Sequence, residues 1–275
     1  MNRHLNNFVA FIKERHSVYI KKKAGLSKPW TDDIILRSYR FCNVYRELDT
    51  ETKWIRENWR DPHKNDENVW FAMAVARYVN WHPSLAAIGY PVPWKKEKFK
   101  DALSEISRRG DKVFTGAYMI KSDAAVDKIS YVAAVLDELW SERHRIRTGS
   151  LEDLYTALCR VRGVGSFMAG QIVADAKYTK RFELAEDWWT FAAVGPGSAR
   201  GLNRVLNRYV DTRWRAGEWE YELYSVQNEA DKCINKFKMP RLHAQDLQNC
   251  LCEFDKYERV RLGEGRPRSR YNGGG

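Results

Sequence analysis

The amino-acid sequence predicts an all-α fold in which the helices form two lobes. Apolar residues recur at the three- and four-residue spacings of amphipathic helices through most of the 275 residues. No stretch alternates strands with helices as a βαβ unit does, and no internal repeat is visible. A third observation is a tight Gly-Val-Gly turn between two helical segments, which indicates a helical hairpin. Few connections are long enough to link separate domains.

The first two helical segments have recognisable ends. Residues 5–23 are amphipathic and finish in three lysines ahead of Gly25, a common C-terminal pattern. The run from Pro29 to Asp33 supplies an N-cap and acidic charge to a second helix. The spacing predicts that this helix continues with one apolar stripe, formed by Phe41, Val44, Tyr45 and Leu48. A second face would carry the polar residues Arg40, Asn43 and Glu47.

Helical spacing continues to near the C-terminus. We expect further helices at about residues 66–80, 95–109, 122–147, 150–160, 166–178, 198–208, 216–237 and 242–259. The segment from Pro83 to Pro93 is typical of a proline-rich connection, and Phe114–Met119 is the one strand-like stretch. We predict a single domain over residues 1–262, with the later lobe inserted into or packed against the first. Residues 263–275 form a basic tail rich in Gly and Arg.

The charge of the chain favours a polyanionic partner. The formal net charge is +11, and the isoelectric point is about 9.4. Nucleic acid is the simplest partner of this kind, although an anionic membrane surface would fit the same charge. No apolar run is long enough to span a bilayer and no signal peptide opens the chain, so we expect a cytoplasmic protein that does not enter membranes.

Metal and redox chemistry have little support in the sequence. The five cysteines have no ligand spacing and include no CxxC pair, and the six histidines are scattered. We therefore expect neither a structural zinc nor a four-cysteine iron–sulfur site. We expect the cysteines to be reduced and mostly buried. The eleven tryptophans suit either a helical core or the stacking of bases.

The strongest local signal is the run LCRVRGVGSFMAGQIV at residues 158–173. One helix ends, Gly163 and Gly165 bracket Val164, and a second helix begins at Ser166. The glycines permit a tight turn and expose backbone N–H groups at a helix N-terminus, where the dipole favours an anion such as a DNA phosphate. A bare Gly-Val-Gly turn also occurs in ordinary helical hairpins, but the longer pattern in a basic helical chain favours DNA binding.

This pattern resembles the helix-hairpin-helix of the DNA-glycosylase superfamily. In that superfamily a catalytic Asp follows the hairpin by about twenty residues, and Asp187 occupies that place here. The lyase-type members carry a nucleophilic Lys where this sequence has Phe167, and the four-cysteine cluster of many members is missing. The resemblance therefore implies a DNA-glycosylase-like fold without a combined glycosylase and lyase activity. The alternative role of Asp187 is an N-cap for the helix that follows it.

A second turn feeds a helix in VGPGSARGLNRV at residues 194–205. We call residues 195–201 the GPGSARG element. Gly197 and Ser198 open the helix, and Arg200 and Arg204 lie one turn apart on one face. Free amides together with two guanidinium groups suit a phosphate or pyrophosphate. A capped helix with a solvated arginine face would give the same spacing.

Four blocks in order carry a more specific resemblance: PWTDD with YRFCNVYRELD, then VFTGAYM, then VGPGSARGLNRV, and LCEFDKYERVRLGEGRPR near the end. The chain resembles the alpha-glutamyl/putrescinyl thymine pyrophosphorylase family of bacteriophages. That family is related to the helical domain found with phage 5-hydroxymethyluracil DNA kinases. The resemblance covers nearly all 275 residues. The chain has no phosphate-loop motif, so we do not expect it to be the kinase itself.

The resemblance implies a role in thymine hypermodification in a phage-infected bacterium. A kinase first makes pyrophosphorylated 5-hydroxymethyluracil in double-stranded DNA, and the family member then replaces the pyrophosphate with an amine. Glycine, glutamate and putrescine are candidate amines. This implies a functional link to such a kinase. Mg²⁺ on the pyrophosphate is chemically reasonable, but the sequence names no ligand set for it.

Candidate roles for individual residues follow from this chemistry. Asp187 is our first choice to accept the proton of the amine and Glu47 our second, with a salt bridge as the alternative role of Glu47. Pyrophosphate binding is assigned to Gly197, Ser198, Arg200, Arg204, Arg40 and Asn43. DNA binding is assigned to Gly163, Val164, Gly165, Ser166, Lys256, Arg259, Arg261 and Arg266. Stacking on a flipped base is assigned to Trp188, Trp189 and Tyr39, for which core packing is the alternative.

Two other functions remain open at this point. A monofunctional glycosylase would excise a modified base and leave an abasic site, with Asp187 stabilising the sugar cation. A non-catalytic DNA-binding module would partner a DNA kinase. The GPGSARG element favours the transferase over the glycosylase, since a glycosylase needs no pyrophosphate site.

Overall fold

The computed structural model describes residues 3–116, 126–146 and 149–267. Every regular element within these ranges is a helix, which confirms the all-α prediction. The helices form two compact units. Met1–Asp49 and Trp189–Gly275 form the first, here called the terminal unit, and Thr50–Trp188 forms the second, the central unit.

The described residues contain twelve α-helices: α1 (Arg3–Lys23), α2 (Ile34–Ser38), α3 (Thr50–Ile55), α4 (Val69–Val79), α5 (His82–Ile88), α6 (Lys96–Arg108), α7 (Lys128–Ser141), α8 (Leu151–Cys159), α9 (Ser166–Ala176), α10 (Pro196–Val205), α11 (Glu218–Ile234) and α12 (Ala244–Arg261). Short 3₁₀ turns follow at Arg46–Leu48, Glu142–His144 and Asn235–Phe237, and a π-helical turn spans Arg56–Arg60. None of these helices is both long enough and apolar enough to cross a lipid bilayer.

The core of the terminal unit lies between α1, α10, α11 and α12. Phe8 of α1, Trp219 of α11 and Phe254 of α12 are almost completely buried there. Helix α10 crosses α12 at very short range because Gly201 has no side chain, and a Cβ at that position would fall on the backbone carbonyl of Leu251. This crossing fixes the position of the GPGSARG element.

The central unit is organised around α4, in which all eleven residues are buried. Its Arg77 donates through Nη2 to Asp175 Oδ1 of α9 at 2.7 Å and to Thr52 Oγ1 at 2.9 Å. Nη1 of Arg77 also donates to Asn80 Oδ1 at 3.0 Å. A buried charge that is paired and hydrogen-bonded in this way is tolerated, whereas an unpaired one is not. The ion pair therefore fixes α9, the second helix of the hairpin, against the centre of the unit.

The predicted helix through Phe41 and Leu48 is wrong. Asp33 caps α2 as expected, with Oδ1 accepting from the N–H groups of Ile35 and Leu36. The helix then ends at Ser38. Asn43 competes with helix formation, because its backbone N–H and its side-chain amide both donate to Asp49 Oδ1. The polar residues Arg40, Asn43 and Glu47 consequently do not share a helical face.

Other predicted boundaries need smaller corrections. The connection from Pro83 to Pro93 contains α5, since Pro83 lies in the first turn of that helix, where its missing N–H costs nothing. The strand-like stretch shows no strand over residues 114–116, and residues 117–119 lie outside the described ranges. The helix expected from residue 122 is described from Lys128, where Asp127 caps it.

Candidate nucleic-acid interface

Helices α8 and α9 and the turn between them form the predicted hairpin. Gly163 has a φ of +86°, and a Cβ there would collide with the side chain of Val135 on α7. Its carbonyl accepts a hydrogen bond of 2.9 Å from the hydroxyl of Tyr78. Val164 is buried, and its N–H donates to the carbonyl of Val161 at 3.0 Å. The turn is therefore rigidly anchored to the central unit.

The other side of the turn is open to solvent. Gly163, Gly165 and Ser166 are exposed, and a Cβ on Gly165 would meet nothing within 4 Å. Gly165 is the N-cap of α9, so the N–H groups of the first turn have no acceptor within the helix. Bare amides at an unobstructed helix N-terminus favour an approaching anion such as a phosphate. The N–H of Val164, in contrast, is already used inside the turn.

Two arginines that the sequence analysis did not assign flank this turn. Arg160 and Arg162 are exposed, and Val161 between them is buried. Within the described ranges no carboxylate pairs with either guanidinium group. The signal was present in the run Cys-Arg-Val-Arg-Gly, because a buried residue between two arginines directs both of them outward at the end of a helix. They add positive charge beside the exposed amides.

Asp187 lies in the central unit and is joined to the start of α8. Its Oδ1 accepts from the N–H of Leu151 at 2.8 Å, and its Oδ2 accepts from the N–H of Glu152 at 2.9 Å. The side chain is partly exposed. The carboxylate therefore stabilises the helix N-terminus, and acceptance of a proton from a substrate would compete with these bonds.

The two predicted stacking tryptophans have different surroundings. Trp188 is partly buried, with the ammonium of Lys177 3.8 Å from its ring centre, and its indole N–H donates to the carbonyl of Lys177 at 3.0 Å. Trp189, in the terminal unit, is 42% exposed, and the guanidinium of Arg241 lies 4.8 Å from its ring centre. One side of each indole is thus covered by a cation, and Trp189 has the larger exposed area.

Tyr39 and Arg266 line one groove of the terminal unit, about 520 Å³ in volume. Its apolar wall includes Ile34, Ile35 and Val260. The structure thus brings together two residues assigned separately to stacking and to DNA binding. Both assignments stay predictions.

In the GPGSARG element, close packing explains one glycine and capping explains Ser198. A Cβ on Gly197 would collide with the side chain of Cys252 on α12. The hydroxyl of the buried Ser198 accepts from the N–H of Gly195 at 3.0 Å. The element therefore has a structural role that its spacing alone did not reveal.

Carboxylates surround Arg200 of this element and Arg204, which lies one turn later on α10. Arg204 donates through Nε to Asp255 Oδ1 at 2.8 Å and also pairs with Glu264. Arg200 pairs with Asp255 at 3.3 Å and with Asp211. Although burial lowers the pKa of Arg204, its hydrogen bonds to Glu264 and Asp255 raise that pKa overall. The positive charge of Arg200 and Arg204, which was predicted to bind pyrophosphate, is thus largely balanced by neighbouring carboxylates.

The C-terminal cations on α12 are paired in the same way. Lys256 lies 2.7 Å from Glu253, Arg259 lies 3.3 Å from Asp255, and Arg261 lies 2.6 Å from Glu258. Each carboxylate is three or four residues earlier on the same helix. Such pairs compete with binding of DNA phosphates, so the hairpin offers the less compensated positive charge.

The remaining assigned residues lie near the start of the terminal unit. Arg40 is exposed, and Glu47 lies partly buried in the Arg46–Leu48 turn. Asn43 donates its side-chain amide to the carbonyl of Leu48 at 3.0 Å. Since the segment that carries them is not a continuous helix, these three side chains do not share a helical face. Among the described residues no group of three His, Cys, Asp or Glu side chains is arranged to hold a metal ion.

Comparison with known proteins connects this helical chain to one family. The family described as "5-hmdU DNA kinase, helical domain" matches residues 2–266. The 5-hmdU DNA kinase of Bacillus phage SP10 is 27% identical to the chain over 228 residues, which is 72% of this chain and 35% of that protein. The chain thus spans about a third of the length of this relative. The comparison with solved structures found no match.

The match over residues 2–266 includes both compact units, the hairpin and the GPGSARG element. It confirms the expected relation to the helical domain of phage kinases. Membership of the pyrophosphorylase family stays a prediction. The chain belongs to the 5-hmdU DNA kinase helical-domain family.

Proposed function

We propose that this chain binds DNA containing a modified thymine and acts in thymine hypermodification. The observation that carries the proposal is the hairpin, in which the exposed residues Gly165 and Ser166 begin α9 directly after the exposed Arg160 and Arg162. Such a turn holds a phosphate of the DNA backbone without reading the base sequence. The net charge of +11 supports the same partner.

The reaction that we propose is replacement of pyrophosphate by an amine. In pyrophosphorylated 5-hydroxymethyluracil the C5 methylene carries a diphosphate. The methylene–oxygen bond breaks, a methylene–nitrogen bond forms, the diphosphate leaves with the bonding electrons, and the amine loses one proton. The resemblance to the thymine pyrophosphorylase family supports this step, as does membership of a family named for 5-hmdU in DNA.

Asp187 is the proposed acceptor of that proton, with Glu47 as second choice. Accepting it would weaken the bonds of Asp187 to Leu151 and Glu152, which are its present partners. Flipping the base out of the duplex would expose its methylene to the amine. Stacking on the flipped base is the role that we propose for Trp189 or Tyr39. Any Mg²⁺ would arrive with the diphosphate.

A second candidate function is a non-catalytic DNA-binding module that delivers DNA to a kinase. The observation in its favour is that Asp187, Arg200 and Arg204 already hold structural partners. The chain also spans 35% of a kinase that it resembles. A module of this kind would bind DNA through the hairpin and would not need a catalytic role for Asp187 or Glu47.

Analysis of nucleosides by mass spectrometry separates these candidates. DNA containing 5-hydroxymethyluracil is treated with a matching DNA kinase and ATP, then incubated with the purified chain and a mixture of glycine, glutamate and putrescine. A nucleoside that carries an amine, together with released pyrophosphate, supports the transferase and identifies the amine. Abasic sites with free base would contradict it in favour of a glycosylase. Unchanged nucleosides together with tight DNA binding would favour the non-catalytic binding module over both enzymes.

A further inference from the structure

A concave surface in the central unit is lined by basic residues that belong to neither the hairpin nor the GPGSARG element. This basic groove has a volume of about 560 Å³ and is lined by residues from three segments, among them Lys64, Arg143, Lys180 and Arg181. A cavity of this size falls in the range typical of small-molecule sites.

The lysines of the groove have no competing partner. Lys64 and Lys180 are exposed, and no carboxylate among the described residues pairs with either ammonium group. Their segments are tied together, because the backbone N–H of Lys180 donates to the carbonyl of Lys64 at 3.3 Å. Two ammonium groups without a counter-charge therefore lie on adjoining parts of one wall.

Two arginines also line the groove, and both donate to backbone carbonyls. Arg143 donates to the carbonyl of Trp140 at 2.8 Å, and its guanidinium lies 4.3 Å from the centre of the Trp140 ring. Arg181 donates to the carbonyl of Ile146, which also lines the groove. A guanidinium group held by a carbonyl and a ring, as that of Arg143 is, keeps its positive charge available to an anion.

The two acids of the groove cancel only part of this charge. Asp66 is occupied by neutral donors, since it accepts from the N–H of Asn68 at 2.8 Å and from the Tyr90 hydroxyl at 2.9 Å. Glu67 is exposed and forms no ion pair with the lysines. Four cations against two carboxylates leave a net charge of about +2, whereas the charges of Arg200 and Arg204 are balanced by their carboxylate partners.

We infer that the basic groove binds phosphate oxygens and is a second anion site, separate from the hairpin turn. This inference rests on the proposed function for its two sources of phosphate: the diphosphate on the modified thymine, or the DNA backbone. If the diphosphate is the source, its binding site is the groove and not Arg200 and Arg204, whose charge is already compensated.

The test compares the wild type with Lys64→Gln/Lys180→Gln. The matched control is Lys53→Gln/Lys100→Gln, which removes the same charge from residues of the same unit that pair with Glu57 and Glu97. Binding of inorganic pyrophosphate is measured by calorimetry, and binding of a DNA duplex is measured over a series of salt concentrations. Neither measurement needs turnover, so a failure of the proposed reaction would leave this result intact.

We expect the groove variant to bind its phosphate ligand roughly tenfold or more weakly, since charge-assisted hydrogen bonds are removed. Weaker pyrophosphate binding with unchanged DNA affinity identifies the diphosphate as the source. Weaker DNA binding with a smaller salt dependence identifies the backbone. Unchanged affinities for both ligands, or equal losses in the control, would overturn the inference.

Discussion

Asp187 accepts a hydrogen bond of 2.8 Å from the N–H of Leu151, so the residue proposed as the proton acceptor also caps the N-terminus of α8. A carboxylate at this place interacts favourably with the helix dipole and with two amides. The same side chain is therefore expected to affect both stability and turnover, and the two effects can be separated.

The substitution Asp187→Asn tests this dual role. We expect it to lower the free energy of unfolding by about 1–2 kcal/mol, because an amide replaces one accepting oxygen, and to abolish amine transfer. Ser150→Ala is the matched control, since Ser150 Oγ accepts from the N–H of Asp153 at the same helix end. The control should lose similar stability and retain transfer. Full turnover in Asp187→Asn would exclude Asp187 as the proton acceptor.

The two glycines of the hairpin should respond differently to alanine. Gly163→Ala is expected to destabilise the fold by about 2 kcal/mol or more, because φ is positive and Val135 leaves no space for a methyl group. Gly165→Ala should fold normally and bind DNA more weakly, since its new methyl group projects where a phosphate would approach. Urea unfolding and DNA affinity measured for both variants check this contrast. Unimpaired DNA binding by folded Gly165→Ala would contradict it.

The flanking arginines should supply part of the salt dependence of DNA binding. Replacing Arg160 and Arg162 with Gln should reduce the slope of log affinity against log salt by about 0.9 for each DNA phosphate that the variant no longer neutralises. Arg108→Gln is a suitable control, because Arg108 is exposed and already pairs with Glu105 at 2.6 Å. An equal reduction of the slope in the control would indicate a general charge effect.

The ion pair between Arg77 and Asp175 should dominate the stability of the central unit. Asp175→Asn leaves a buried guanidinium without its counter-charge, so we expect a loss of roughly 3–5 kcal/mol in unfolding free energy. Lys100→Gln removes an exposed pair and should cost less than about 1 kcal/mol. Chemical denaturation of both variants checks the difference. Comparable small losses would show that the buried pair is dispensable.

Glu264 should make the stability of the terminal unit depend on pH. Its hydrogen bond to Arg204 lowers the pKa of Glu264 below the usual 4.5. A carboxyl whose pKa is lower in the folded state stabilises above its unfolded pKa, and this stabilisation is lost as pH falls through the folded value. The stability difference between wild type and Glu264→Gln should therefore be present at pH 7 and shrink below about pH 4. A constant difference in unfolding titrations would refute this assignment.

The sequence predicted the helices well where apolar spacing was continuous, and α8, α9, α11 and α12 follow the expected segments closely. The helix prediction failed between Tyr39 and Leu48, where the side chain of Asn43 bonds to Asp49 and this local hydrogen bond replaces a helical one. The hairpin turn was predictable because glycine spacing is a local property. The carboxylates around Arg200 and Arg204 were not, since Asp255 and Glu264 come from a helix and a turn about fifty and sixty residues later.

The central claim is that the hairpin amides hold the DNA backbone, and amide chemical shifts test it most directly. A ¹⁵N-labelled sample would be titrated with a DNA duplex containing 5-hydroxymethyluracil. The account predicts large shifts of the N–H signals of Gly165 and Ser166, with a much smaller change at Val164, whose N–H is already bonded to Val161. Tight DNA binding with the Gly165 and Ser166 signals unmoved would contradict it.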